Sequence, residues 1–156
     1  MATISLCMIV KNESAVLARC LDSIADLMDE IIIVDTGSTD NTKEIAAQYT
    51  SRIYDFKWTS DFSAARNFSF SKATMEYIYT ADADEILDDA NRERFLRLKD
   101  ALLPEIEIVQ MKYVTQGTFD TVLNAKRNTG QSCSADCARY LDRSDSRDRP
   151  LNAGHF

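Results

Sequence analysis

Residues 77–85 read YIYTADADE, an aromatic and β-branched run that passes directly into a cluster of acidic residues. The run Tyr77–Ala81 is typical of a buried β-strand. Asp82 and Asp84 follow it two positions apart, and in an extended chain they would point to the same side. Mg²⁺ prefers one or two carboxylates together with waters and phosphate oxygens. The stretch therefore predicts either a metal–diphosphate site or a pair of acids that cap the following helix.

Strands and helices alternate along the rest of the chain. Apolar or alternating runs predict further strands at residues 4–10, 30–35, 52–56, 105–115 and 118–123, and apolar residues recur at helical spacing between the earlier ones. The predicted helix starts are Asn12 or Ser14 for the first helix, Asp61 or Ser63 for the third, and the acids Asp88 and Asp89 for the fourth. This alternation predicts right-handed βαβ units and a parallel sheet covered on both faces.

The composition excludes several classes of protein. The chain has 156 residues, is 45% hydrophobic and carries a formal charge of −7, which fits one globular domain and argues against a nucleic-acid partner. No apolar run approaches the roughly 20 residues of a membrane span, so we expect no transmembrane segment. The first residues lack the basic region of a signal peptide. Four cysteines without the density of a secreted scaffold predict free thiols and a cytoplasmic location.

Polar residues follow three of the predicted strands. They are Lys11–Glu13, Asp35–Ser38 and Asp82–Glu85. Ligands of open parallel sheets bind outside the carboxyl ends of the strands, so these three groups are expected to contact one ligand. The chain has neither GxGxxG after its first strand nor a GxxxxGK[ST] loop, which disfavours a dinucleotide-binding domain and a P-loop enzyme. A nucleotide would have to be held by side chains and a metal.

The second strand end offers contacts to a nucleoside. Asp35 or Thr36 could bind a base edge and Glu13 could reach the ribose hydroxyls, while an equally good interpretation makes Asp35 a turn or capping acid. Gly37 is expected to have a structural role, either a positive φ or a close approach of the backbone.

The segment around residue 66 offers a cation for a diphosphate. Arg66 could bind the diphosphate in a bidentate manner; the alternative is a surface arginine paired with Asp61 or Asp55. Trp58 and Phe62 are expected to belong to the core.

Four blocks in this order resemble the family-2 glycosyltransferases of the GT-A fold. They are CMIVKNE at residues 7–13, EIIIVDTGSTD at 30–40, DFSAARN at 61–67 and DADE at 82–85. The resemblance covers roughly the first 90 residues and implies an α/β fold, a Rossmann-like three-layer αβα sandwich with a mostly parallel central sheet. It also implies a nucleotide-sugar-binding GT-A core at residues 1–116. Residues 117–156 are expected to form a partial acceptor-side or irregular tail, truncated relative to the family.

The resemblance further implies an inverting transfer of a sugar from a nucleotide-diphosphate donor, often UDP-linked, to a hydroxyl of a carbohydrate, lipid-linked or peptide acceptor. A divalent cation, Mn²⁺ or Mg²⁺, assists this reaction in the family. Asp82 and Asp84 match the family's metal-binding DxD motif, in which Asp82 also contacts the donor.

Five other residues match donor-binding positions of the family. Asp35 and Thr36 match an aspartate pair that contacts the base, with Thr36 standing where the family has the second acid. Arg66 matches an arginine that faces the donor phosphates. Asn12 and Glu13 match the turn that flanks the nucleoside.

The catalytic base has no clear counterpart in the sequence. Family members usually carry this carboxylate after the DxD block; Asp120 and Asp136 are available, but their surroundings single out neither. A non-catalytic nucleotide- or metal-binding domain therefore stays an alternative. A phosphoryl-transfer domain of receiver type is disfavoured, because no clear strand-end lysine lies downstream of the acids to complete its pocket.

Overall fold

The computed structural model of the protein describes residues 1–115 and 118–127. A six-stranded sheet lies at its centre, with the strand order β3-β2-β1-β4-β6-β5. The strands are β1 (Ile4–Val10), β2 (Glu30–Asp35), β3 (Ile53–Asp55), β4 (Tyr77–Thr80), β5 (Ile108–Thr115) and β6 (Thr118–Arg127). The helices are α1 (Leu17–Ile24), which continues as a 3-10 turn over Ala25–Leu27, α2 (Thr42–Ala46), α3 (Phe62–Phe70) and α4 (Asp89–Ala101).

The first four strands are parallel. β1 pairs with both β2 and β4, and β2 pairs with β3. Val10 lies opposite Asp35 and Cys7 lies opposite Thr80, so the C-terminal ends of β1, β2 and β4 meet at one edge. β6 runs antiparallel to β4, and β5 antiparallel to β6. The predicted mostly parallel sheet is confirmed, and the β5–β6 hairpin forms its antiparallel part.

Different helices cover the two faces of the sheet, because successive side chains of a strand point to opposite sides. On one face α3 packs over a cluster formed by Cys7, Ile32, Val34, Phe70 and Ile78. The other face packs against α1, α2 and α4, through residues that include Leu6, Met8, Leu17, Leu21, Ile33, Tyr79 and Phe95. Each fully buried aliphatic side chain contributes about 1.5–3 kcal/mol. The predicted three-layer αβα sandwich is confirmed, and burial between its layers is the main stabilising contribution.

Helix α1 begins later than the sequence predicted. Val16 occupies its N-cap position and makes no side-chain capping hydrogen bond. The predicted caps are tied to the loop after β2, since the Asn12 N–H donates to Ser38 Oγ and the Ser14 N–H donates to Asp40. The prediction was wrong because contacts between loops compete with helix capping for the same short polar residues.

The other predicted caps are confirmed. Asp61 accepts a hydrogen bond from the Ala64 N–H at 3.2 Å at the start of α3. Asp88 accepts one from the Asn91 N–H at 2.8 Å at the start of α4. Both side chains satisfy a backbone N–H group that has no partner within its helix.

The strand β6 lies inside the region that the sequence predicted as a tail. Its ten residues pair with β4 and β5, so at least this part of residues 117–156 belongs to the central sheet. Residues 128–156, and with them Asp136, lie outside the described residues.

A buried lysine holds α4 at the N-terminal edge of the sheet. Lys99 Nζ donates to Leu27 O at 3.0 Å and to Asp29 Oδ2 at 2.6 Å. The same Asp29 oxygen accepts the Ile4 N–H at 2.8 Å. Burial alone would raise the pKa of Asp29, but the hydrogen bonds from Lys99 and Ile4 outweigh it and lower the pKa. One carboxylate therefore connects α4 with the start of β1.

The Asp29→Asn variant tests this anchor through its pH dependence. Since folding lowers the pKa of Asp29, its stabilising effect is fully present above the unfolded pKa of about 3.9 and is lost as the pH falls through the folded value. We expect Asp29→Asn to lower the free energy of unfolding by about 1 kcal/mol at neutral pH. In urea unfolding, this difference from the wild type should shrink toward about pH 3. A difference that grows in acid would contradict the assignment.

Candidate functional site

Three loops start side by side at one edge of the sheet. They comprise residues 11–16 after β1, 36–41 after β2 and 81–88 after β4. The strand register puts the loop after β1 between the other two. All three polar strand ends that the sequence singled out therefore lie at the same edge.

Asp35 ends β2 and is buried, with 1% of its surface exposed. Its Oδ1 accepts the N–H groups of Gly37 at 2.9 Å and Ser38 at 2.8 Å, and Gly37 has the positive φ of 107° expected for it. Its Oδ2 is buried and has no hydrogen-bond partner among the described residues. One oxygen of Asp35 thus closes the turn, and the other remains available for a ligand.

Thr36 is engaged with the neighbouring strand. Its N–H donates to Val10 O at 3.0 Å and its hydroxyl donates to the same carbonyl at 3.2 Å. The Thr36 side chain, which the sequence predicted to contact a base, therefore ties β2 to β1.

Asn12 joins the first loop to the second. It has a φ of 55°, its N–H donates to Ser38 Oγ at 2.9 Å, and its Oδ1 accepts the Thr39 N–H at 2.7 Å. Asparagine tolerates a positive φ better than most residues. The side chain predicted to flank a nucleoside thus uses its oxygen to shape the loop.

A second set of contacts joins the same loops beside Glu13. The Glu13 N–H donates to Thr42 Oγ1 at 2.8 Å, and the Ser14 N–H donates to Asp40 at 3.2 Å. Hydrogen bonds from Thr42 and Ser14 lower the pKa of Asp40 to about 2. Sequence reasoning missed Asp40 and Thr42, although an aspartate two residues before a threonine is a common turn signal.

The acidic stretch after β4 is a turn. The Glu85 N–H donates to Asp82 O at 3.0 Å, which turns the chain around Ala83 and Asp84. The extended conformation predicted for Asp82–Asp84 is wrong, because the pairing of β4 with β1 ends at Thr80. The Asp84 side chain is exposed, and that of Asp82 is partly buried.

Negative charge accumulates where the first and third loops meet. Burial and then the charges of Asp84, Asp82 and Asp40 raise the pKa of Glu13. Burial, followed by the charges of Glu85, Asp84 and Asp82, raises the pKa of the Cys20 thiol to about 12, so this thiol keeps its proton. The charge contributions to both pKa shifts come mainly from acids of the turn, which therefore lie near Glu13 and α1. A cation would relieve this repulsion.

Arg66 is buried on α3, with 5% of its surface exposed, and its Nε has no hydrogen-bond partner among the described residues. The alternative of a surface arginine is wrong. Of the two proposed partners, Asp61 caps α3, and Asp55 forms an ion pair with Lys43 at 2.5 Å.

The position of Arg66 along α3 brings it toward the same edge of the sheet. Ser69 O accepts a hydrogen bond from Cys7 Sγ at 3.7 Å, level with the middle of β1. Arg66 lies three residues earlier, roughly 4.5 Å nearer the helix N-terminus. That end lies toward the C-terminal edge because α3 leads from the end of β3 to the start of β4. Arg66 lies on the face of the sheet that α3 covers, whereas the alternation of side chains along β2 puts Asp35 on the opposite face.

The two aromatic residues before Arg66 form a ring pair. The rings of Trp58 and Phe62 are 4.6 Å apart in an edge-to-face arrangement. Phe62 is 38% exposed, so the expectation that it belongs to the core is wrong. Its position at the first residue of α3, on the rim of the fold, accounts for this exposure.

The acidic turn offers carboxylates that could hold a metal ion. Within residues 1–115 and 118–127, no three His, Cys, Asp or Glu side chains are gathered as a ready-made metal site. Asp82 and Asp84 nevertheless fit a hard cation, since Mg²⁺ takes its other ligands from water and phosphate oxygens.

Comparison with known proteins identifies the family. The model of "Glycosyl transferase family 2" matches residues 5–149. The chain belongs to glycosyl transferase family 2. The resemblance in the four sequence blocks is thereby confirmed.

Curated proteins match the chain over part of their own length. The glycosyltransferase SunS of Bacillus subtilis is 36% identical over 129 residues, which are 80% of this chain and 30% of that protein. A TPR repeat-containing protein of Synechococcus elongatus is 48% identical over 87 residues, 56% of this chain and 22% of that protein. The chain thus spans less than a third of the length of these relatives.

Solved structures agree with the fold. Glucosyl-3-phosphoglycerate synthase of Mycobacterium tuberculosis superimposes with a TM-score of 0.57 at 26% identity, over 70% of this chain and 44% of that one. TarS of S. aureus gives 0.53 at 21% identity, over 64% and 32%. The predicted GT-A fold is confirmed. Among the described residues, no helix is long and apolar enough to cross a membrane.

Substitutions of Asn12 test its role in joining the loops. Asn12→Gly loses the bond to Thr39 but accepts the positive φ, whereas Asn12→Ala loses the bond and also strains the backbone. We expect Asn12→Ala to be less stable than Asn12→Gly by about 1 kcal/mol in urea unfolding. Equal stability of the two variants would show that residue 12 does not hold this backbone conformation.

Proposed function

We propose that this family member transfers a sugar from a nucleoside-diphosphate donor, with UDP as the leaving group, to an acceptor hydroxyl with inversion and with the help of a divalent cation. The described residues form the donor-binding part. The proposal is carried by two buried polar atoms, Asp35 Oδ2 and Arg66 Nε, at the edge where strand-end ligands bind; neither has a hydrogen-bond partner among the described residues.

Asp35 Oδ2 suits the base of the donor. A buried carboxylate oxygen without a partner costs about 1–3 kcal/mol, which an N–H donor of a ligand removes. The imide N–H of uracil is such a donor. Because Asp35 Oδ1 is held by Gly37 and Ser38, the free oxygen has a fixed direction. Asp35 then selects a base that presents an N–H at this point.

Arg66 suits the diphosphate. A guanidinium keeps its charge when buried and matches phosphate oxygens with parallel N–H donors. As the sugar leaves, negative charge grows on the diphosphate, and a preorganised cation stabilises that charge. Arg66 and Asp35 border the edge from opposite faces of the sheet, so a nucleotide lying across the edge contacts both.

Asp82 and Asp84 would hold Mn²⁺ or Mg²⁺. Glu13 lies close enough that, after burial, their charges also raise its pKa. When bound, the cation supplies Lewis-acid stabilisation of the leaving diphosphate. The turn residues present carboxylates next to the loop after β1, and Asn12, with its neighbours, keeps that loop in position beside the nucleoside.

Inversion requires a carboxylate that takes the proton of the attacking hydroxyl. Asp120 lies in β6, opposite Tyr113 of β5, and Asp136 lies outside the described residues. The acceptor class stays open among carbohydrate, lipid-linked and peptide acceptors. The alternative, a donor-binding domain without turnover, differs in one measurement: release of UDP from a UDP-sugar, including slow hydrolysis to water, supports the enzyme.

Calorimetric titration with UDP and Mn²⁺ tests the role of Asp35. In Asp35→Asn the amide oxygen must accept from Gly37 and Ser38, so the NH₂ group replaces Oδ2 and meets the base N–H donor to donor. We expect UDP affinity to fall about 10- to 100-fold. The matched control Asp55→Asn changes an exposed acid at the end of the adjacent strand and should bind as the wild type does. Unchanged affinity in Asp35→Asn would contradict the base contact.

The metal dependence of the same titration tests Asp84. We expect Mn²⁺ to increase the UDP affinity of the wild type. In Asp84→Asn this Mn²⁺-dependent gain in affinity should be smaller by a factor of about 10 or more. UDP affinity in EDTA should be the same in both proteins. Asp89→Asn, an exposed acid in the first turn of α4, is the control. A full Mn²⁺ effect in Asp84→Asn would rule this carboxylate out as a ligand.

A further inference from the structure

Helix α1 lies next to the acidic turn and forms hydrogen bonds with both ends of the segment 82–87 that contains this turn. This segment, residues 82–87, lies between the last residue of β4 and the cap of α4 and belongs to neither. Its own backbone contributes the single Glu85–Asp82 hydrogen bond already described. Hydrogen bonds from a neighbouring element also hold the backbone of this segment in place.

The first contact is made by Cys20. Its thiol is buried and donates to the carbonyl oxygen of Asp82 at 3.5 Å. Cys20 itself is fixed in the core cluster between α1 and the sheet. The backbone of the first acidic residue is therefore attached to the side of α1.

The second contact is made by Ser23, one turn further along α1. Its hydroxyl oxygen accepts the Leu87 N–H at 3.1 Å, and the same hydroxyl donates to Cys20 O at 2.7 Å. Arg92 of α4 reinforces this end, because it donates to Ser23 O and forms an ion pair with Asp26 at 2.6 Å. Residues 82 and 87 are thus both held by α1.

We propose that Cys20 and Ser23 are positioning residues of the metal–diphosphate site. They fix the backbone of residues 82–87 at both ends, so that the carboxylates of Asp82 and Asp84 are presented together to the cation. This inference rests on the proposed function and adds to it which side chains orient the ligands.

The physical need for such support follows from the cation. Mg²⁺ demands near-ideal octahedral geometry, and groups behind metal ligands typically change metal affinity by about 10- to 100-fold. A thiol is a weak hydrogen-bond donor, so the effect of Cys20 on metal affinity should be smaller than that of a carboxylate in the same position. The hydroxyl of Ser23 carries two hydrogen bonds and is the stronger of the two supports.

The test compares UDP affinity with Mn²⁺ and in EDTA for Cys20→Ala, Cys20→Ser and Ser23→Ala. We expect the Mn²⁺-dependent gain in affinity to fall about 3- to 10-fold in the two alanine variants. Cys20→Ser keeps a donor and should recover most of the gain. UDP affinity in EDTA should stay at the wild-type value, because the Asp35 turn is not touched. Thermal unfolding of each variant gives its folded fraction, and the measured binding is corrected by that fraction.

Cys7→Ala is the matched control, since Cys7 is also buried and donates to a backbone carbonyl, that of Ser69, on the opposite face of the sheet. It should keep the full Mn²⁺ effect. A full effect in both alanine variants, or an equal loss in Cys20→Ala and Cys20→Ser, would overturn the positioning role. Absence of any Mn²⁺ effect in the wild type would instead refute the metal site of the proposed function.

Discussion

The parallel pairing of β1 with β2 and β4 is the constraint on which the rest of the structure depends. It brings three chain segments, distant in sequence, to one edge of the sheet. These three strands are largely buried on both faces and mostly apolar, so clusters of polar residues follow where each strand ends. The edge therefore collects the three groups of polar residues that follow these strands, and a shift of one strand by a single residue would reverse every side chain along it.

Hydrogen bonds hold the loops at this edge in place, while two buried polar atoms near it lack hydrogen-bond partners among the described residues. Asn12 and Thr42 connect the first two loops, while α1 holds the third. Against this ordered frame, Asp35 and Arg66 each keep a buried polar atom without a partner among the described residues. Such atoms lower stability by about 1–3 kcal/mol each. A frame that fixes their direction in advance reduces the ordering that a ligand must supply when it binds.

The sequence predicts the strand ends well because burial makes the strands nearly continuous apolar runs and leaves each boundary sharp. Asp35 and Asp82 were found as candidates for that reason. The sequence alone could not predict features that depend on contacts between distant segments. The burial of Arg66 requires α3 to lie against β1, and the turn at Asp84 requires the end of the β1–β4 pairing. The use of Asn12 as a connection between loops requires both loops to be in position.

A crystal structure of the protein with a UDP-sugar and Mn²⁺ would test the shared edge most directly. The account predicts the nucleotide lying across the ends of β1, β2 and β4. The base N–H should lie within about 3.2 Å of Asp35 Oδ2, and a phosphate oxygen should lie within the same range of the Arg66 guanidinium. A nucleotide bound elsewhere, with both buried atoms still unpaired, would contradict it.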